Sequence, residues 1–272
     1  MAHVPTLSLN QGGAIPQLGY GVFKVDPAEA DTAVGLALDA GYRSIDTATI
    51  YRNETGVGAA IARCGIERDA LFVTTKLWND DQGYDSALRA CDESLKRLGL
   101  DYVDLYLIHW PKPAQDRYID SWRALERLKE EGKVRAIGVS NFEIPHLERL
   151  LAETAIVPAV NQIELHPALP QDALHEFHQA HGIVTEAWSP LARGELDAPV
   201  ILAIAGKHGR TPAQVVLRWH MQRGIVAIPK SVTPSRIAEN IAVFDFALDA
   251  EDMEQLRTLD AGRRIGPDPN TF

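Results

Sequence analysis

Short apolar, β-branched runs alternate along the whole chain with longer segments whose apolar residues recur at helical spacing. The runs are Gly19–Val22, Arg43–Ile45, Leu71–Thr75, Val103–Ile108, Val134–Val139, Ala159–Asn161, Ile183–Ala187 and Ile225–Ile228. Strands that alternate strictly with helices pair in parallel through right-handed crossovers, and a count of eight favours a closed (β/α)8 TIM barrel. A doubly wound open sheet is the alternative, but it usually carries G-x-G-x-x-G after its first strand. Both G-x-G matches fail at the third glycine: Gly19-Tyr-Gly21 reaches Lys24, and Gly56-Val-Gly58 reaches Ile61.

Helix signals fit the same scheme. Asp26-Pro27-Ala28-Glu29 and Thr211-Pro212-Ala213-Gln214 each offer a capping side chain, a proline at the first helical position and Glu or Gln three residues past the cap. Segment 84–98 sets Ala87, Leu88, Cys91, Leu95 and Leu98 on one face and stops at Gly99. Two pieces exceed a minimal barrel. Thr6–Leu9 and Ala14–Leu18 flank Asn10-Gln11-Gly12-Gly13 and predict a β-hairpin plugging the barrel floor, while helices over 198–208 and 249–260 are additional to the eight. With no linker or low-complexity tract, all 272 residues are expected to form one domain.

Composition narrows the function classes. A balance of 27 basic against 37 acidic residues gives a formal charge of −10, which speaks against nucleic acid but leaves room for a local basic pocket. Cys64 and Cys91, the only cysteines, provide neither a disulfide framework nor a zinc quartet and point to a reducing, cytoplasmic compartment. The long uncharged run from Val4 to Phe23 holds four Gly and two Pro, so neither a membrane span nor a secretory signal is expected.

Chemistry in such barrels sits where the strands run out at their C-terminal ends. There the chain places Asp46, Lys76, His109, Ser140 with Asn141, Gln162 and Lys230. Any one of these is most simply a helix cap or a solvated loop residue; six successive strand ends converging on one mouth reverse that weighting. Tyr51, five residues beyond Asp46, completes a set that solves a chemical problem. A phenol of pKa about 10 can act as a general acid near neutrality only if its anion is stabilised by about two pKa units, each about 1.4 kcal/mol. Lys76 supplies the cation, Asp46 pairs with it, and His109 polarises a carbonyl oxygen beside Tyr51. Lys230-Ser231-Val232-Thr233-Pro234-Ser235-Arg236 combines two cations, three hydroxyls and a helix start, a cradle for a terminal phosphate. His175, His178 and His181 are spaced for a metal, but no Cys or carboxylate cluster completes a set, so they are assigned to a solvated helix face and no metal is expected. Trp122 and Trp219 are expected in the core.

Gly41-Tyr-Arg-Ser-Ile-Asp46-Thr-Ala, Thr74-Thr-Lys76-Leu-Trp78, the stretch from Leu98 to His109-Trp110-Pro111, Gly138-Val-Ser140-Asn141-Phe142, Asn161-Gln162-Ile-Glu-Leu-His-Pro167 and Ile228-Pro-Lys230-Ser231 together resemble the aldo-keto reductases. The order is the family's and the whole chain is covered; Trp78-Asn79-Asp80 and Val243-Phe-Asp-Phe246 further resemble its bacterial branch of 2,5-diketo-D-gluconate reductases. The resemblance implies an NADPH-dependent carbonyl reductase acting on aldehydes, ketones, keto sugars or keto sugar acids. Tyr51 would be the proton donor, assisted by Asp46, Lys76 and His109. Ser140, Asn141 and Gln162 would hold the nicotinamide carboxamide. Trp188 would stack behind the ring where many relatives have tyrosine, followed by Ser189 and Leu191 along the cofactor. Lys230, Ser231, Val232 and Arg236 would meet the 2′-phosphate end, and Glu239 and Asn240 the adenine. Phe23, Trp78 and Trp110 would line the substrate pocket together with His109. The tail from Gly262 to Phe272 would fold over the mouth, with Arg263 or Arg264 meeting a substrate carboxylate. The protein is expected to act as a monomer; the alternative is an NADPH-binding redox sensor or partner subunit with little turnover.

Overall fold

The computed structural model describes residues 4–272. It opens with an antiparallel hairpin of β1 (Thr6–Ser8) and β2 (Ala14–Pro16). Eight strands then pair in parallel, each with the next in chain order: β3 (Tyr20–Gly21), β4 (Ser44–Asp46), β5 (Phe72–Leu77), β6 (Val103–Ile108), β7 (Val134–Ser140), β8 (Val160–Glu164), β9 (Val184–Trp188) and β10 (Val226–Ala227). The ring closes where Leu18 bridges Ala227 and the Gly19 and Gly21 N–H groups donate to the Ala227 and Pro229 carbonyls. Every predicted strand run is present, and the fold is the (β/α)8 TIM barrel rather than the open sheet.

The strands end later than the apolar runs suggest. Asp46, Lys76, Ser140 and Gln162 lie within the ladders rather than just beyond them. The ladder tolerates them because side chains alternate between barrel interior and helix layer, and these four face inward, where they meet one another.

Ten helices surround the barrel among the described residues: α1 (Ala30–Ala40), α2 (Glu54–Arg63), α3 (Tyr84–Leu98), α4 (Tyr118–Glu130), α5 (Ile144–Glu153), α6 (Asp172–Ala180), α7 (Pro199–His208), α8 (Pro212–Gln222), α9 (Pro234–Ile241) and α10 (Ala250–Arg257). The additional pair are α7 and α10. Thr211 closes the predicted capping box with Gln214. Asp26-Pro27 behaves otherwise: the Asp26 carboxylate accepts from the Ala28 N–H in a turn, and α1 starts only after Glu29.

Two apolar layers follow from the alternation. Inside the barrel, Phe72, Leu105, Leu107, Ala136, Val160 and Val226 pack on Leu9 and Ile15 of the hairpin, which closes the floor. Gln11 fastens that plug by donating to the Ile137 and Val157 carbonyls and accepting from the Ile137 N–H. Outside, Ile45, Val73, Tyr106, Ile137 and Ile163 pack against the helices, with Cys91, Trp122 and Trp219 buried there. Helix α2 crosses the end of α3 so closely that a Cβ at Gly58 would lie 2.1 Å from the Leu98 carbonyl oxygen. Gly58→Ala is therefore expected to cost about 1–3 kcal/mol, the scale of overpacking, read as a lower urea midpoint at unchanged slope.

Candidate active site

Period-two alternation selects what reaches the mouth. On β5, Thr75 points outward to Glu54 of α2, so Thr74 and Lys76 point in. On β8, Asn161 points outward to His178, so Gln162 and Glu164 point in. On β9, Thr185 points outward to His175 and His178, so Glu186 and Trp188 point in. Ile45 packs in the helix layer, which turns Asp46 inward.

These inward groups build a buried polar cluster above the apolar floor. The Lys76 Nζ donates to Asp46 Oδ1 at 2.6 Å and to the Thr47 carbonyl at 2.9 Å, and Lys76 is fully buried. Gln162 Nε2 donates to Asp46 Oδ2 and to Glu186 Oε2, each at 2.8 Å. Burial works to lower the Lys76 pKa, and the Asp46 carboxylate overrides it, holding the ammonium above the ordinary lysine value. Burial, with Asp46 close by, pushes the Glu186 carboxyl up to about 8.

Tyr51 reaches this cluster from a 3-10 turn, Thr49–Tyr51. Thr49 Oγ1 ties the turn to the Lys76 carbonyl, and the Asn53 amide ties its far side to the Val22 and Val25 carbonyls. The Tyr51 ring lies with its centroid 5.2 Å from Lys76 Nζ and 5.7 Å from the His109 ring, edge to face. Burial raises the Tyr51 pKa and the Lys76 ammonium only partly offsets it, so the phenol is not more acidic than usual, contrary to the expectation from sequence. The cation sits deep enough that desolvation of the phenolate outweighs its pull. Burial and the same ammonium hold His109 well below the ordinary histidine value, so its ring is neutral. Its Nδ1 is buried without a partner. A proton there would be an orphaned donor, the costlier of the two unmet groups, which favours the tautomer protonated on Nε2.

Above the cluster opens a cavity of about 880 Å³, within the range of ligand sites. Asp46, Tyr51, His109, Ser140, Asn141 and Gln162 line it, together with Trp188, Ser189 and Leu191, with Lys230, Ser231, Arg236, Glu239 and Asn240, and with Trp110; Phe23 and Trp78 also line it, packed against Tyr51 and His109. Lys76 lies beneath it. Val232 is the exception: 42% exposed, it does not line the cavity, whereas neighbouring Ser231 does and accepts from the Thr233 N–H. Sequence reasoning passed over Glu186, and over Ile50, Arg193, Leu196 and Pro267 on the cavity wall. Glu186 carried a signal, a lone acid inside an apolar strand run; the loop residues carried none.

The tail folds over the mouth. Glu164, fully buried, accepts from the Ile265 and Gly266 N–H groups and from His166. Phe272 packs on Trp110 with ring centroids 4.6 Å apart. The two tail arginines already have carboxylate partners within the chain, Arg263 with Glu195 and Arg264 with Glu143. The histidine series also differs from a solvated face. His175 and His178 are buried and share Thr185, because α6 turns that face to β9, and only His181 is exposed. Burial holds His178 at about 3, and both its nitrogens are engaged by Asn161 and Thr185, leaving none for a metal.

Residues 15–261 match the aldo/keto reductase family. The chain belongs to the aldo/keto reductases. An aldo-keto reductase of Mycolicibacterium smegmatis is 56% identical over 98% of each chain. The methylglyoxal reductase DkgA of Yersinia pestis is 54% identical over 100% of this chain and 99% of its own. Among solved aldo/keto reductases and their neighbours, a Gox0644 mutant in complex with NADPH superposes with a TM-score of 0.95 at 51% identity, covering 99% of both chains. The Bombyx mori aldo-keto reductase in complex with NADP gives 0.92 at 38% identity, covering 98% of this chain and 96% of the other.

Proposed function

We propose that this aldo/keto reductase reduces small carbonyl compounds with NADPH, Tyr51 supplying the proton. The observation that carries the reading is one cavity lined by Tyr51 and His109, with the buried Lys76–Asp46 pair against the Tyr51 ring, and lined also by the two cations Lys230 and Arg236. When bound, NADPH supplies a hydride from its nicotinamide ring.

The residues present fit that group. Gln162 spends both amide hydrogens on Asp46 and Glu186, which leaves its Oε1 as the acceptor for a carboxamide N–H. Asn141 Oδ1 accepts from the Trp188 indole at 2.7 Å and retains a second lone pair. Lys230 and Arg236 are exposed, and among the described residues neither is ion-paired. They flank the start of α9, whose Thr233 cap leaves the first N–H groups without a side-chain acceptor. Cations at a helix N-terminus suit a terminal phosphate.

His109, neutral with its proton on Nε2, donates to the substrate carbonyl oxygen and holds it beside Tyr51. As charge develops on that oxygen, the phenol protonates it. A phenol of ordinary or raised pKa suffices, because an alkoxide is far more basic than a phenolate. Lys76 then stabilises the phenolate, and Asp46 keeps the ammonium in place and charged. Phe23, Trp78, Trp110, Ile50 and Phe272 give the substrate an aromatic and apolar wall.

The site needs no residue beyond this chain, in keeping with a single domain acting as a monomer, and the two free thiols, Cys64 and Cys91, suit a cytoplasmic setting. No helix among the described residues is long and apolar enough to cross a membrane.

The test is NADPH oxidation with methylglyoxal as the first substrate, alongside the double variant Lys230→Ala/Arg236→Ala. Each charge-assisted contact to phosphate is worth about 1.5–3 kcal/mol, so loss of both is expected to weaken NADPH binding by at least about a hundredfold while NADH binding changes little. Equal losses for both cofactors, by tryptophan fluorescence quenching, would refute the phosphate assignment. Absence of turnover across aldehydes and ketones by the wild type would refute the reductase.

A further inference from the structure

Glu186 is a second acid inside the barrel, beside a cluster that already balances one acid against one base. It is 1% exposed, and its strand directs it to the interior because Thr185 and Ala187 on either side face the helices. The groups that face it are Asp46 from β4, Lys76 from β5, Tyr51 from the turn after β4 and the neutral Gln162 from β8. None of the ordinary explanations for a buried acid applies. It caps no helix, and among the described residues it has no cation of its own, since Lys76 is spent on Asp46 and the Thr47 carbonyl.

What it does hold is the Gln162 amide. The two Nε2 hydrogens are divided between Asp46 Oδ2 and Glu186 Oε2, so the amide plane is fixed at two points. Its Oε1 is thereby committed to the cavity that Gln162 lines. Remove the Glu186 acceptor and the amide is held at one point only.

We infer that Glu186 is a positioning residue for the proposed reduction: sharing the Gln162 amide with Asp46, it aims that amide at the nicotinamide carboxamide and sets the net charge beneath Tyr51. Protonated, it leaves the Asp46–Lys76 pair neutral overall, and Lys76 is free to stabilise the phenolate that forms when Tyr51 gives up its proton. Ionised, it adds a negative charge to the same cluster and opposes that phenolate. The sign follows from the raised carboxyl: Glu186 is protonated below about 8 and ionises as pH rises through that value, so turnover falls there.

This inference rests on the reductase reading, and two variants test it separately. Glu186→Gln keeps the acceptor for Gln162 and removes the ionisation; Glu186→Leu removes both. In the pH profile of kcat with methylglyoxal, E186Q is expected to lack the fall centred near pH 8 and to decline only at higher pH. By fluorescence quenching without substrate, E186L is expected to bind NADPH about three- to tenfold more weakly, as one lost hydrogen bond implies, while E186Q binds like the wild type. A kcat profile of E186Q that superimposes on the wild type overturns the charge role, and unchanged NADPH binding in E186L overturns the aiming role. If E186L does not fold, E186Q alone still decides the first. A wild type that neither binds NADPH nor turns over methylglyoxal overturns the function itself, an outcome distinct from either.

Discussion

Tyr51→Phe is expected to lower kcat for methylglyoxal by about 10²–10⁴-fold, the usual contribution of a positioned general acid, with NADPH binding retained. The variant deletes one oxygen from a ring held by its edge against His109 and 5.1 Å from the Phe23 ring, so the packing of the pocket survives. No other group takes over the proton, because His109 is neutral with its second nitrogen buried and Lys76 lies beneath the cavity. The loss should appear in single-turnover experiments as well as in the steady state, since it acts on the chemical step. A variant that keeps more than about a tenth of wild-type kcat would assign the proton to another donor.

Lys76→Met should reach both stability and catalysis. Removing one partner of a buried ion pair leaves the other charge without compensation, a loss of about 3–5 kcal/mol. Here the stranded group is Asp46, with only the Gln162 amide left to it. The pH range follows from the raised pKa of Lys76. A raised base contributes stability that is fully present at neutral pH and is lost only as pH climbs through its folded-state value, above the ordinary lysine range. Urea melts at neutral pH should therefore show the whole loss. The double variant Asp46→Asn/Lys76→Met should recover part of the stability and none of the activity, because it removes the stranded charge without restoring the cation. A K76M protein as stable as the wild type would mean that the Lys76–Asp46 pair contributes nothing net to stability.

The barrel and most of its mouth were legible in the sequence because they depend on local patterns. A strand buried on both faces is an apolar run, and a polar residue at its end stands out against it; Asp46, Lys76, His109 and Gln162 all announce themselves in this way. What was not legible depends on partners far away in the chain. Arg263 and Arg264 looked free, and only the fold shows Glu195 and Glu143 within reach. The histidines of α6 looked solvated because nothing in a three-residue spacing says which way the helix is rolled; Thr185 and Asn161 decide it. Tyr51 was expected to be acidified by Lys76, but a charge that is visible in sequence comes with a burial that is not. Asp26 failed as a cap for a more local reason, since the same carboxylate satisfies a turn two residues on.

Glu164 grips the tail through the backbone N–H groups of residues 265 and 266, not through their side chains. That attachment is indifferent to most of what the tail carries. At the grip itself Gly266 is the constrained residue, since a Cβ there would lie 2.4 Å from the Trp188 ring. The stretch beyond it, which brings Pro267 and Phe272 to the cavity, can change its residues without loosening its anchor. On the proposed reading, this wall is a replaceable part mounted on a fixed bracket, where a new carbonyl specificity can be acquired while the Tyr51 cluster is left as it is.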